Sequence, residues 1–235
     1  MLTKLTVILA FLLCLHPVVV SAQAASTYPE IPIDSKTLRV QEQADRVYER
    51  TDYERAFFIY RNELAPIGDK YAQYMVGYMY LAGKGVREDH VTASAWYRLA
   101  AERGTKEFIK ARDRLVSRLD AGEMARSDQL FVQLRKDYGD LTVLMQALRE
   151  DFKALQARTG SRLASDTSPV AVINLNRPSG SRSGSDYYGQ IERRIQARLE
   201  YLAHKTQIEI IDIDVASLDL NRLEQQVSEY LQALN

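Results

Sequence analysis

The sequence predicts a mainly α protein: a short solenoid of paired antiparallel helices, then a linker and a small C-terminal helical or α+β segment. Three observations predict it. Apolar residues recur at helical spacing from Leu38 to Leu155 with few interruptions. A self-shift of about 36 residues sets Tyr60 on Trp96, Leu64 on Ala100, Ala65 on Ala101 and Gly68 on Gly104, the mark of a repeated helix. Between Thr159 and Gly189 lie seven serines, four glycines and two prolines, which is linker chemistry.

Taken in order, residues 1–24 read as a signal peptide. Lys4 supplies the charge, Leu5 to Val20 the apolar run, and Ala22-Gln23-Ala24 the small-x-small cleavage pattern. Cleavage is expected after Ala24, with Ala22 as the alternative. The run is short for a membrane span and lacks stop-transfer charges, so no stable span is expected after cleavage. Cys14 is the only cysteine, and Leu13 ahead of it departs from the small residue that lipid attachment requires. The cleaved chain then has no thiol nucleophile, disulfide or Cys-bound metal. Such a chain suits an oxidising compartment, periplasmic or extracellular.

Residues 25–37, with Pro29 and Pro32, read as an extended leader, and the helical-repeat domain is expected over 38–158. Thr51 to Glu54 has the form of a capping box, with the Thr51 hydroxyl as N-cap. The helix it starts carries Phe57, Phe58, Tyr60 and Leu64 until Pro66 and Gly68 stop it. Further helices are expected from Lys70 to Leu81 and from His90 to Glu102, separated by Gly83-Lys84-Gly85 and closed by Gly104. Phe108 to Leu119 marks another, and two more flank Tyr138-Gly139-Asp140. After the linker (159–189), in which Val170 to Leu175 has the form of a short strand, the C-terminal segment (190–235) has helical patterns at Tyr187 to His204 and Leu218 to Leu234. Gln207 to Val215 alternates apolar and polar residues as a strand would.

The segment from Ala72 to Gly104 carries more than periodicity. Ala72, Gly77 and Tyr80 are followed by Gly83-Lys84-Gly85-Val86, Asp89, Ala93, Trp96-Tyr97, Ala100-Ala101 and Gly104. This pattern resembles the SEL-one-like repeat, a relative of the tetratricopeptide repeat. The likeness covers one nearly complete unit and the second helix of a preceding one, about residues 50–104. It implies two antiparallel helices per unit, Tyr80 and Tyr97 in the repeat core, and a scaffold or adaptor that binds a protein partner in the periplasm or cell envelope. The small residues allow close helix approach, the glycines suit turns with positive φ, and Asp89 can cap the helix after it. At the next shift of about 36 residues the pattern fails, with Asp113 opposite Gly77 and Val116 opposite Tyr80, so Thr105 to Leu119 is expected to be a degenerate or capping helix.

Charge and motifs narrow the function classes. Lys plus Arg and Asp plus Glu number 31 each, so nothing in the balance calls for a nucleic-acid partner. The basic stretch from Arg98 to Lys136 is broken by carboxylates and reads as a solvated helix surface. His90 and His204 stand far apart and form no ligand pair, so neither a metal nor another cofactor is expected. Gly83-Lys84-Gly85 lacks the rest of a phosphate loop, and Gly180 to Gly184 is no nucleophile elbow. No catalytic residues are assigned.

Tyrosine is abundant, at 14 residues. Tyr71, Tyr74 and Tyr78 share one helical face, either as a partner-binding surface or as core against an N-terminal helix. Three other readings stay open: a regulator that restrains an envelope sensor or enzyme, an enzyme acting on cell-wall material if a structure shows a cleft with convergent carboxylates, and self-assembly through the helices from Gly122 to Arg158.

Overall fold

The computed structural model describes residues 28–29, 35–159, 184–208 and 218–234. The expected signal peptide, its cleavage site, most of the leader and linker, and the strand-like segments at 170–175 and 207–215, the latter save for Gln207 and Ile208, lie outside the described residues.

Nine α-helices are described: α1 (Ser35–Glu49), α2 (Tyr53–Ile59), α3 (Lys70–Ala82), α4 (His90–Ala100), α5 (Lys106–Val116), α6 (Ala121–Tyr138), α7 (Asp140–Thr159), α8 (Gly184–Thr206) and α9 (Leu220–Ala233). No strand occurs among the described residues. α1 starts at Ser35, inside the expected leader, and α8 starts at Gly184, inside the expected linker. In both places polar composition hid a helix whose later turns carry the apolar face.

Local chemistry sets the helix ends. The capping residue of α2 is Asp52, not Thr51: its carboxylate accepts the Arg55 N–H at 3.4 Å. Thr51 instead adopts φ 63°, because its N–H donates to the Tyr48 carbonyl (3.0 Å) and the Asp52 N–H to that of Val47 (3.2 Å) as α1 closes. α2 runs on through a wider turn at Tyr60–Leu64 and a tight one at Ala65–Ile67. Pro66 enters that tight turn, and Gly68 at φ 79° reverses the chain. Asp69 caps α3 and Asp89 caps α4, each accepting the amide three residues on at 2.9 Å.

The pair α3–α4 packs closely because Gly77 has no side chain. A Cβ there would lie 2.7 Å from the Tyr97 ring and 3.2 Å from the Ala93 carbonyl. Ala72, Val76, Met79, Ala93, Leu99 and Ala100 are buried at this contact, and Ala101 follows in the last turn. A fully buried Val, Leu or Met side chain contributes about 1.5–3 kcal/mol. Trp96, 1% exposed, shares a buried cluster with Ala72, Met75, Val76 and Met79 of α3 and meets the Tyr138 ring at the end of α6, with centroids 4.9 Å apart. α6 packs along α4 and covers it on that side. α5 buries only Leu115 fully, as suits a terminal cover.

A second apolar core joins α7, α8 and α9 through Leu144, Leu148, Ile191, Ile195, Leu199 and Val227. Beside the buried Val143 side chain, which lies against Gly68, a polar cluster joins α7 to the repeat. Lys70, with its side chain 7% exposed, donates from Nζ to the Leu99 carbonyl and Glu102 Oε2, both at 2.8 Å, and lies 3.1 Å from Asp140 Oδ1. Arg103 donates to the same Asp140 oxygen at 3.0 and 2.8 Å, and the Asp140 amide donates to Glu102. Paired cations and anions make the burial of these charges tolerable.

Candidate interaction site

A groove of about 390 Å³ opens between α1 and α3. The α3 wall is built by Tyr71, Tyr74 and Tyr78, which the three-and-four spacing brings to one face. The α1 wall is built by the same spacing, with Asp45, Tyr48 and Glu49. Tyr60 and Met75 lie between the walls. The partner-binding and core readings of the three tyrosines divide residue by residue. Tyr71 is 49% exposed, while Tyr74 and Tyr78 are half-buried.

Each ring is held by a specific contact. The buried Tyr60 hydroxyl donates to Asp45 Oδ1 at 2.6 Å, fixing α1 to α2 across the groove. Burial, helped by that carboxylate, pushes the Tyr60 hydroxyl far above its ordinary ionisation range. Tyr71 stands edge-on to Tyr60 at 6.3 Å, and burial and the Asp45 charge raise it as well. Tyr74 is stacked on both Tyr97 (5.2 Å) and Phe108 (5.1 Å), so its ring continues the repeat core into the groove wall. Burial raises Tyr97 too. Tyr60, Tyr71 and Tyr97 are therefore neutral phenols at physiological pH.

Lys84, from the turn between α3 and α4, ends the groove. Its Nζ donates to the Tyr48 hydroxyl at 2.8 Å and lies 5.0, 4.8 and 5.4 Å from the ring centroids of Tyr48, Tyr53 and Tyr78. The bond to Tyr48 raises the lysine further, so it stays an ammonium ion. Left-handed backbone at Gly83 (φ 62°) and Gly85 (φ 68°) brings the lysine there. A Cβ on Gly85 would lie 2.3 Å from the Tyr53 carbonyl, so the turn is seated directly on the start of α2. Tyr80 meets Phe57 edge-on at 5.3 Å on the other side of α3.

Sequence reasoning found one wall and missed the other. Asp45, Tyr48 and Glu49 carried the same helical-face spacing, but a single sequence does not say that two faces meet.

A second cavity, of about 220 Å³, lies where α6, α7, α8 and α9 meet and brings Glu102 and Asp140 together beside Tyr201. Convergent carboxylates are what a hydrolytic site needs, yet here Lys70 and Arg103 occupy both, and the cluster ties the two cores together. Burial, and then the charges of Asp140 and Glu102, push the Tyr201 hydroxyl up to about 12, so it too is a neutral phenol. His90 pairs with Glu88 at the surface (3.0 Å), and His204 is exposed on α8. Among the described residues no group of three or more His, Cys, Asp or Glu side chains gathers as a metal site would require. No described helix is long and apolar enough to cross a membrane.

Comparison with known proteins matches residues 70–105 to a family model described as the Sel1 repeat. No curated protein and no solved structure matches the chain. The matched residues span α3, the turn with Lys84, α4 and the glycine stop at Gly104. Sel1 repeats are helical scaffolds that generally mediate protein–protein interaction.

Proposed function

We propose that this chain is an exported, non-catalytic scaffold or adaptor that binds a protein partner in the groove between α1 and the Sel1 repeat. The observation that carries the reading is the groove itself, a concave surface whose walls are mostly tyrosine. Tyrosine provides a large contact area with few rotatable bonds, which is why it dominates protein-binding hot spots. The rings are already positioned by Tyr97, Phe108, Asp45 and Lys84, so a partner would pay little to order them. Export to the periplasm or cell envelope rests on the signal-peptide pattern over 1–24 and on the lack of any cysteine after it.

The test is capture with crosslinking from an envelope extract, comparing the full chain, purified as exported, with a Tyr71→Ala/Tyr78→Ala variant. Tyr74 is left intact because it is part of the repeat core. With matched circular dichroism, the variant is expected to lose a captured protein by about tenfold or more. Equal capture by both proteins, or no specific capture by a folded wild type, refutes the reading.

A further inference from the structure

The groove carries a charge pattern that the repeat pattern does not require. The α1 wall presents two exposed carboxylates, Asp45 and Glu49, opposite the rings of Tyr71, Tyr74 and Tyr78. Among the described residues neither carboxylate has an ion-pair partner. Asp45 accepts only the Tyr60 hydroxyl, through Oδ1. Tyr60 donates a single hydrogen bond to that oxygen, and burial keeps the phenol from ionising.

The end of the groove already shows what such walls accept. The Lys84 ammonium lies within 5.4 Å of three tyrosine ring centroids and bonds to one hydroxyl. Tyrosine faces attract cations, and desolvation strengthens that attraction. The middle of the groove leaves open space beside Tyr71 and Tyr78, with the Asp45 and Glu49 carboxylates on the facing wall, while the Tyr74 ring is stacked on Tyr97 and Phe108.

From this charge complementarity we infer that the groove receives a basic segment of the protein partner, one arginine or lysine side chain lying between the tyrosine rings with its charge on Asp45 and Glu49. The inference rests on the proposed scaffold function and names the chemistry of the partner. A guanidinium suits the site best, because its plane stacks on a phenol ring while its edge donates to two acceptors. Lys84 closes one end by like-charge repulsion, so the cationic group is confined to the side of Asp45 and Glu49.

The test uses isotope-labelled full chain, purified as exported, titrated with short glycine–serine peptides that carry arginine, glutamine or glutamate at the same positions. The arginine peptide is expected to shift the amides of Tyr71, Tyr74, Tyr78 and Asp45, and added salt is expected to weaken it. Asp45→Asn/Glu49→Gln keeps an acceptor for the Tyr60 hydroxyl and is expected to weaken the arginine peptide by about tenfold. Equal affinity for the glutamine peptide, or an unchanged affinity in the carboxamide variant, overturns the inference. Shifts confined to another face overturn it too, as do concentration-dependent shifts at the groove without peptide, which assign it to a second copy of the chain. The two proposals fail separately. If the captured partner is lost by the tyrosine variant but kept by the carboxamide variant, the scaffold function stands and the cationic ligand does not.

Discussion

Two glycines with nearly the same backbone conformation provide a sharp test of how the groove is assembled. Gly85 has φ 68° and Gly104 has φ 79°. Alanine at either position pays for left-handed backbone, about 1 kcal/mol. Their surroundings differ completely. Nothing lies within 4 Å of a Cβ on Gly104, whereas one on Gly85 would lie 2.3 Å from both the carbonyl carbon and oxygen of Tyr53 and 2.6 Å from the Glu54 nitrogen. Those atoms are backbone at the first turn of α2, which cannot swing aside as a side-chain tip can. The overlap adds about 2–3 kcal/mol at Gly85, giving about 3–4 kcal/mol in all against about 1 at Gly104. In a chain of this length each kcal/mol lowers Tm by about 2–4 °C, so Gly85→Ala is expected to melt about 10 °C below wild type and Gly104→Ala about 3 °C below. Thermal unfolding followed by circular dichroism measures both. Equal shifts in the two variants would refute the seating of the Lys84 turn on α2, and with it the position of the groove's end.

The buried polar junction predicts that Lys70→Met, which strands Glu102 and leaves Asp140 to Arg103 alone, costs about 3 kcal/mol, while Arg112→Ala, which removes an exposed pair with Asp113, changes stability by less than about 1 kcal/mol. Denaturant unfolding of the two variants checks the contrast. Burial pushes the Asp89 carboxyl up, but the amide and hydroxyl of Thr92, the Val91 amide and the charge of His90 outweigh it and hold the carboxyl below its ordinary value. That contribution is fully present above the ordinary carboxylate range and is lost as pH falls through the depressed value. Asp89→Ala is expected to cost about 1 kcal/mol near neutrality, with the gap in Tm from wild type narrowing in acid. A gap that stays constant down to acid pH contradicts the cap.

What the sequence made legible was local. Asp89 as a cap, the glycine turn at Gly83 and Gly85, and the stop at Gly104 each depend on neighbours within a few residues. The close approach of Gly77 was legible because the repeat pattern supplied the partner helix. Thr51 misled because a threonine with Glu54 three residues on has the form of a capping box, while the tight close of α1 had already drawn its backbone into a left-handed turn. The Lys70, Glu102, Arg103 and Asp140 junction was invisible for a different reason. Its members are 32 to 38 residues apart along the key bonds, and each alone looks like a surface charge. The same holds for α6 over Trp96 and for the α1 wall of the groove. Periodicity identifies a face, but only the three-dimensional path of the chain says which faces meet.

The central claim is that a protein partner enters between α1 and the Sel1 repeat. Its most direct test places a photocrosslinking phenylalanine derivative at Tyr71 in one chain and at exposed Lys153, on α7, in another, each exported in its native cell before illumination. The account predicts a discrete adduct with another protein from position 71 and none from position 153. Adducts of equal yield from both positions, or no adduct from position 71 in a folded and exported chain, would contradict it.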